Sequence, residues 1–175
     1  MSHDTVLRGG RIVDGTGSPW RRGDVAIDGT RIAALAPPGS LDGDDVVDAS
    51  GRVVAPGFVD VHTHSDFTLP ANRDAHSKVR QGVTLEVVGN CGTSAGPRYG
   101  AAARSVDGWF ESNGLGEAVD PDWESLGEYL EALESDGVSL HVASLVGHGN
   151  VRAAVLGHED RAPDDDELDE MRALV

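Results

Sequence analysis

From residue 53 onward the chain alternates between runs that read as strands and stretches that read as helices, and this alternation narrows the available folds more than any other feature. Phe58-Val59-Asp60-Val61, then 82–89 and 138–146, are the apolar, β-rich runs. A helical stretch is expected around 74–80, and a long Gly-, Ser- and Ala-rich loop from Asn90 to about Asp120. Pro121-Asp122-Trp123 opens an amphipathic helix in which Trp123, Leu126, Leu130 and Leu133 fall near helical spacing, and Gly137 ends it. A last helix begins near Asp164, with acids in its first turn where the helix dipole favours them. Strands alternating with helices, both sheet faces covered, predict a parallel sheet: an open α/β sheet or the beginning of a (β/α)8 barrel. The last helix carries Leu168, Met171, Leu174 and Val175 on one face with no partner after it. Since a complete barrel needs about 250 residues, the chain is expected to be the truncated, N-terminal portion of a longer protein.

The first 54 residues follow a different rhythm. Val6-Leu7-Arg8 leads to Gly9-Gly10, and Arg11-Ile12-Val13 to Asp14-Gly15-Thr16-Gly17. Asp24-Val25-Ala26-Ile27 runs into a hairpin turn expected at Asp28-Gly29, and Pro37-Pro38-Gly39 stops the returning strand. Val46-Val47-Asp48-Ala49 and Arg52-Val53-Val54 complete the set. Short strands with Gly-rich turns predict a small β-sandwich or open barrel, and nothing in this section carries chemistry.

Composition excludes some functions. The net charge is −16 and is spread along the chain, which argues against nucleic-acid binding and is read here as adaptation to high salt. No apolar stretch approaches the ~20 residues of a membrane helix, and Met1-Ser2-His3-Asp4 shows no export signal, so a cytoplasmic protein is expected. The oligomeric state is not readable. The single cysteine, Cys91, has no intrachain disulfide partner; it is either a small buried hydrophobe or a reactive or ligating thiolate.

Chemistry concentrates at strand ends. In an extended chain His62 and His64 point to the same side, where two neutral imidazoles serve one divalent metal. Val88-Gly89-Asn90-Cys91-Gly92 ends the next strand; its glycines suit either a turn that presents the sulfur or an ordinary strand-ending turn. His148 follows the third strand, for substrate contact or a structural hydrogen bond. His141 reads as a satisfied core or interface residue, and His76 and His158 as surface. Asp66 either orients a metal histidine or caps the following helix.

Gly9-Gly10-Arg11-Ile12-Val13-Asp14-Gly15-Thr16-Gly17, and the stretch from Asp48 through Pro56-Gly57-Phe58-Val59-Asp60-Val61-His62-Thr63-His64, resemble the start of the amidohydrolase superfamily. Gln81-Gly82-Val83-Thr84, Gly89-Asn90-Cys91-Gly92 and Gly147-His148-Gly149-Asn150 resemble its N-acyl-D-amino-acid deacylase (D-aminoacylase) branch. The resemblance implies a metal-dependent TIM barrel, begun by residues 55–175, beside a small β-sandwich of which residues 1–54 are the N-terminal half. It implies one or two zinc ions, with His62 and His64 at one metal position and Cys91 at the other, tighter one. The reaction implied is hydrolysis of a small-molecule N-acyl-D-amino acid to a carboxylate and a D-amino acid. Further metal histidines and a general-base aspartate are then expected beyond Val175, since Asp160, Asp164, Asp165, Asp166 and Asp169 sit in a loop or an exposed first turn. The alternatives are a cyclic-amide hydrolase of the dihydroorotase or hydantoinase type, and a catalytically inactive N-terminal fragment.

Overall fold

The computed structural model describes residues 2–175; Met1, at the head of the expected 1–54 domain, lies outside the described residues. The chain divides into two compact units, one up to Pro56 and one from Gly57 to Val175.

The first unit is a single five-stranded sheet built from β1 (His3–Ile12), β2 (Arg21–Asp28), β3 (Arg31–Ala36), β4 (Gly43–Asp48) and β5 (Val53–Val54). Its order is β3-β2-β1-β4, and β5 also pairs with β1. Gly9-Gly10 does not end the first strand as expected. The register slips between Leu7 and Gly10, and Gly9 takes φ +74, so the pair forms a bulge inside one long strand. Before the bulge β1 pairs with β4, up to Arg8 and Asp48; after it, with β5 at Arg11 and Val53. The hairpin turn falls on Gly29-Thr30, one residue later than expected, because Asp28 still pairs with Arg31.

Asp24 ties this unit together. Its buried carboxylate accepts from the Gly9 N–H at the bulge (2.9 Å), from Ser40 (3.0 Å) and from Leu41 (3.4 Å). Burial alone would raise its pKa; the N–H groups of Gly9, Leu41, Gly39 and Ser40 outweigh that and hold it below the ordinary value. A depressed folded-state pKa stabilises the fold above the unfolded value, and that contribution is lost as pH falls through the folded one. We expect Asp24→Ala to cost about 2–4 kcal/mol near neutral pH. In urea unfolding, the gap between parent and variant should narrow toward about pH 3; a gap independent of pH would refute the charged-acceptor role.

The second unit carries β6 (Phe58–Asp60), β7 (Val83–Val88) and β8 (His141–Ser144), parallel and in the order β6-β7-β8. This open sheet does not close into a barrel. Its helices are α1 (His76–Val79), α2 (Gly100–Ser112), α3 (Leu126–Asp136), α4 (His148–Leu156) and α5 (Asp165–Ala173). None of the described helices is long and apolar enough to cross a membrane.

Several expectations are corrected. The loop from Asn90 to Asp120 contains α2, whose buried face is Ala101, Ala102, Val106 and Phe110. Ala102, Val106 and Phe110 do fall at helical spacing, but Gly100 and Gly108 within the same stretch are poor helix formers and favour a loop. The next helix opens at Leu126 rather than Pro121. Ser125 accepts from the Glu128 N–H and the Glu128 carboxylate accepts from the Ser125 N–H, a capping box that sets the boundary. Trp123 is therefore outside the helix, buried, with its indole donating to Ala95 O (3.0 Å). The third strand is short, and His148 begins α4. The stripe of α5 does have a partner: Met171 packs on Val151 and Leu156 of α4. The sheet is not covered on both faces, for Phe58 (60%), Val59 (54%) and Val61 (68%) are exposed. His141 is exposed rather than a core residue.

The main core lies among α2, α3 and the segments between strands, and includes Phe67, Phe110, Trp123, Tyr129 and Leu133. Edge-to-face contacts of Phe110 with Trp123 (6.5 Å) and Trp123 with Tyr129 (5.3 Å) run through it. The Tyr129 hydroxyl leaves this core to donate to Asp66 O (2.9 Å), which couples it to the strand-end loops.

Candidate metal centre

Parallel strands end on one edge, so the segments after Asp60 and Val88 emerge side by side. The strand expected to carry both histidines stops at Asp60, because the His62 N–H is taken by Asp60 Oδ1 (3.3 Å) instead of the ladder. Pairing resumes for one step, with the Thr63 N–H donating to Val87 O (3.3 Å). Thr63 is buried while His62 and His64 are exposed on either side of it. Their ring centroids lie 5.7 Å apart, with 68° between the planes.

After β7, Gly89, Cys91 and Gly92 all have positive φ: +76, +56 and +79. For Cys91 this is an uncommon conformation, of the kind held in place at functional sites. Gly89 has no substitute. A Cβ there would sit 2.1 Å from Leu145 O, on backbone already at positive φ. Asn90 points inward, its Nδ2 donating to Thr63 O (3.1 Å) and Val87 O (2.8 Å), so one amide clamps the histidine segment to the cysteine loop.

The outcome is a cluster of three donors. His62 Nε2 and Cys91 Sγ are 3.3 Å apart, and one ligand atom from each of His62, His64 and Cys91 lies within 4.8 Å of the others. All three residues are exposed, which removes the reading of Cys91 as a buried structural thiol. Tetrahedral zinc holds a nitrogen and a sulfur roughly 3.6 Å apart and accepts this mixture of donors, so the set fits such an ion.

Other candidates fall outside the cluster. His148 is exposed at the start of α4. His76 and His158 are exposed as expected. Asp66 does not cap a helix. It is buried in a 3₁₀ turn (Ser65–Phe67), and its Oδ2 accepts from the Gly89 N–H (3.3 Å). Burial pushes its carboxyl up to about 6, against the opposing pull of that N–H and of nearby His64. Lys78, the only lysine in the chain, is held by Asp60, Thr63 and Glu86 rather than at the cluster.

Three further groups support the rim and were not singled out from the sequence. Besides Asn90, buried Asn150 accepts from the Ser94 N–H (3.0 Å) and donates to Ser94 O (2.8 Å). The Gly149 N–H donates to Gly92 O (2.8 Å), and Gly147 N–H to Ser94 Oγ (2.9 Å). The start of α4 is thereby stitched to the loop that follows Cys91. The only sequence signal for these was their place in glycine-flanked motifs.

A parallel sheet here presents a His-x-His pair and a cysteine at one rim of an α/β scaffold, a set of donors able to hold a metal ion. The chain belongs to the amidohydrolase family, whose model matches residues 45–175. Within that family it is D-aminoacylase-like. It is 39% identical to the D-aminoacylase of Alcaligenes xylosoxydans xylosoxydans over 98% of this chain and 34% of the relative, and 40% identical to that organism's N-acyl-D-glutamate deacylase over 87% and 30%. Among solved structures, the N-acyl-D-glutamate deacylase of Bordetella bronchiseptica, complexed with zinc and a phosphonate inhibitor, superposes with TM-score 0.82 at 36% identity, covering 99% of this chain and 35% of that one. A D-aminoacylase with a binuclear metal centre superposes with TM-score 0.84 at 38% identity, covering 98% and 35%. The chain thus spans about a third of the length of these relatives.

The loop geometry predicts the cost of losing Gly89. Gly89→Ala should destabilise the second unit by more than about 3 kcal/mol and release Cys91 from the rim. Thermal unfolding and the rate of Cys91 alkylation would both register this; a variant with parental stability would show that the approach to Leu145 relaxes freely.

Proposed function

We propose that this chain is part of a zinc-dependent hydrolase that cleaves the amide bond of N-acyl-D-amino acids to a carboxylate and a free D-amino acid. In this reading residues 1–54 are half of a small β-sandwich, and residues 55–175 supply the first strands and helices of a (β/α)8 barrel. The observation that carries it is the convergence of His62, His64 and Cys91 from two adjacent parallel strand ends. The resemblance to deacylases over nearly the whole chain supports the substrate class.

His62, His64 and Cys91 would hold one or two zinc ions. When bound, zinc supplies Lewis acidity toward the amide carbonyl and lowers the pKa of water toward ~7. The imidazoles serve as ligands only when neutral, and Cys91 only as thiolate, so occupancy falls as pH drops. Asn90 holds the two ligand-bearing segments at a fixed separation, which keeps the donor set organised before metal arrives. The aspartate that moves the proton to the departing amine is assigned outside this chain. Asp160, Asp164, Asp165, Asp166 and Asp169 are all exposed, and Asp164 is occupied in capping α5.

Two measurements test this. The 175-residue chain should bind about one equivalent of zinc or Co(II), with a thiolate-to-Co(II) charge-transfer absorption. Cys91→Ala should abolish that absorption and weaken zinc binding ~100-fold or more. The whole protein should release D-amino acid from N-acetyl-D-amino acids and leave the L-enantiomers intact. Absence of metal binding would remove the metal centre, and cleavage confined to cyclic amides would reassign the substrate.

A further inference from the structure

Beneath the exposed donors lies a ring of hydrogen bonds. Lys78 Nζ donates to Thr63 Oγ1 (2.8 Å) and meets Glu86 Oε1 (3.1 Å); Ser65 Oγ donates to the same Glu86 oxygen (3.1 Å); and the Thr63 and Ser65 hydroxyls are 3.0 Å apart. His64 is the one residue between Thr63 and Ser65, so both of its neighbours belong to the ring. Lys78 also reaches the other histidine: its ammonium binds Asp60 Oδ2 (2.6 Å), while Asp60 Oδ1 accepts the His62 N–H (3.3 Å). The site is largely shielded, with Glu86 fully buried and Lys78 about a quarter exposed (24%).

The residue type carries meaning here. The chain holds 14 basic residues, and Lys78 is the only lysine among them. An ammonium offers three donors around a point charge, and Asp60, Thr63 and Glu86 take up all three. A guanidinium is a planar fork whose donors do not radiate from one atom, so it would not reproduce this arrangement.

We propose that Lys78 is the positioning residue of the metal centre: seated between Asp60, Glu86 and the Thr63 hydroxyl, its ammonium fixes the peptide that presents His62 and His64. This rests on the metal-binding reading above. Lys78 touches neither ligand; it acts through Asp60 on the His62 amide and through Thr63 and Ser65 on either side of His64.

Titrating Co(II) into the 175-residue chain tests the role without reference to turnover. Lys78→Arg and Thr63→Val should weaken binding ~10–100-fold, as loss of groups that orient ligands does, and should alter the visible Co(II) absorption. Thr63→Val removes one hydroxyl and leaves both ion pairs of Lys78, so its circular dichroism should match the parent's and its unfolding midpoint should fall by no more than the loss of that hydroxyl's hydrogen bonds accounts for. Thr63→Ser restores the hydroxyl and should bind as the parent does. A purely structural lysine would lower the unfolding midpoint in Lys78→Arg but leave affinity and absorption unchanged. If Lys78→Arg does not fold, Thr63→Val decides. Thr63→Val and folded Lys78→Arg binding within about twofold of the parent, with unchanged absorption, would overturn the role of Lys78 while leaving the metal site standing. A parent chain that binds neither Co(II) nor zinc would overturn both.

Discussion

Parallel pairing between β6 and β7 is the constraint from which the rest follows. Asp60 lies level with Glu86, so the chain leaves both strands at the same height and on the same edge. The Thr63–Val87 hydrogen bond carries that pairing one step past the end of the strand. It buries Thr63 and leaves its neighbours on the outside, which is how two imidazoles come to face a sulfur delivered by a different strand. A one-residue slip would exchange buried and exposed positions. Lys78 would then meet a histidine and the solvent a threonine.

The supports of the rim are distributed rather than local. Tyr129 brings the aromatic core to the backbone of Asp66, and Asp66 reaches across to Gly89 at the base of the cysteine loop. Asn150 and the Gly149 amide hold the other side of that loop from the start of α4. Cys91 can keep an uncommon backbone conformation because its loop is tied at both ends. Strain of this kind persists only where the surroundings over-determine it.

Much of this was legible in the sequence, for physical reasons. His62, His64 and Cys91 are donor types with few other uses at strand ends, and the apolar runs before them mark the strands. The parallel order follows from the helices between them. The features that the sequence does not announce have weak local signals. Half of the buried face of α2 is alanine, and its Gly100 and Gly108 argue for a loop. The start of α4 hides behind Gly147 and Gly149, so no helix is expected between the apolar run that ends at residue 146 and Asp164, and α5 has no expected partner. The ring around Lys78 draws on residues 60, 63, 65 and 86, and no pattern of spacing announces a meeting of four separate positions. The glycines of β1 illustrate an ambiguity of type: a positive φ serves a bulge as well as a turn, and only the neighbouring strands decide between them.

The bare flank of β6 has a consequence for how this polypeptide behaves in solution. Phe58, Val59 and Val61 lie along an outermost strand whose second side has no described partner, and such a flank is a template for another copy of the same strand. The excess of sixteen negative charges opposes such pairing by mutual repulsion. Added electrolyte shortens the reach of that repulsion to ~3 Å at 1 M while leaving the greasy flank as sticky as before. For the isolated polypeptide the carboxylates therefore guard this flank best in dilute buffer, the opposite of what adaptation to high salt would require, so the charge by itself does not support that expectation.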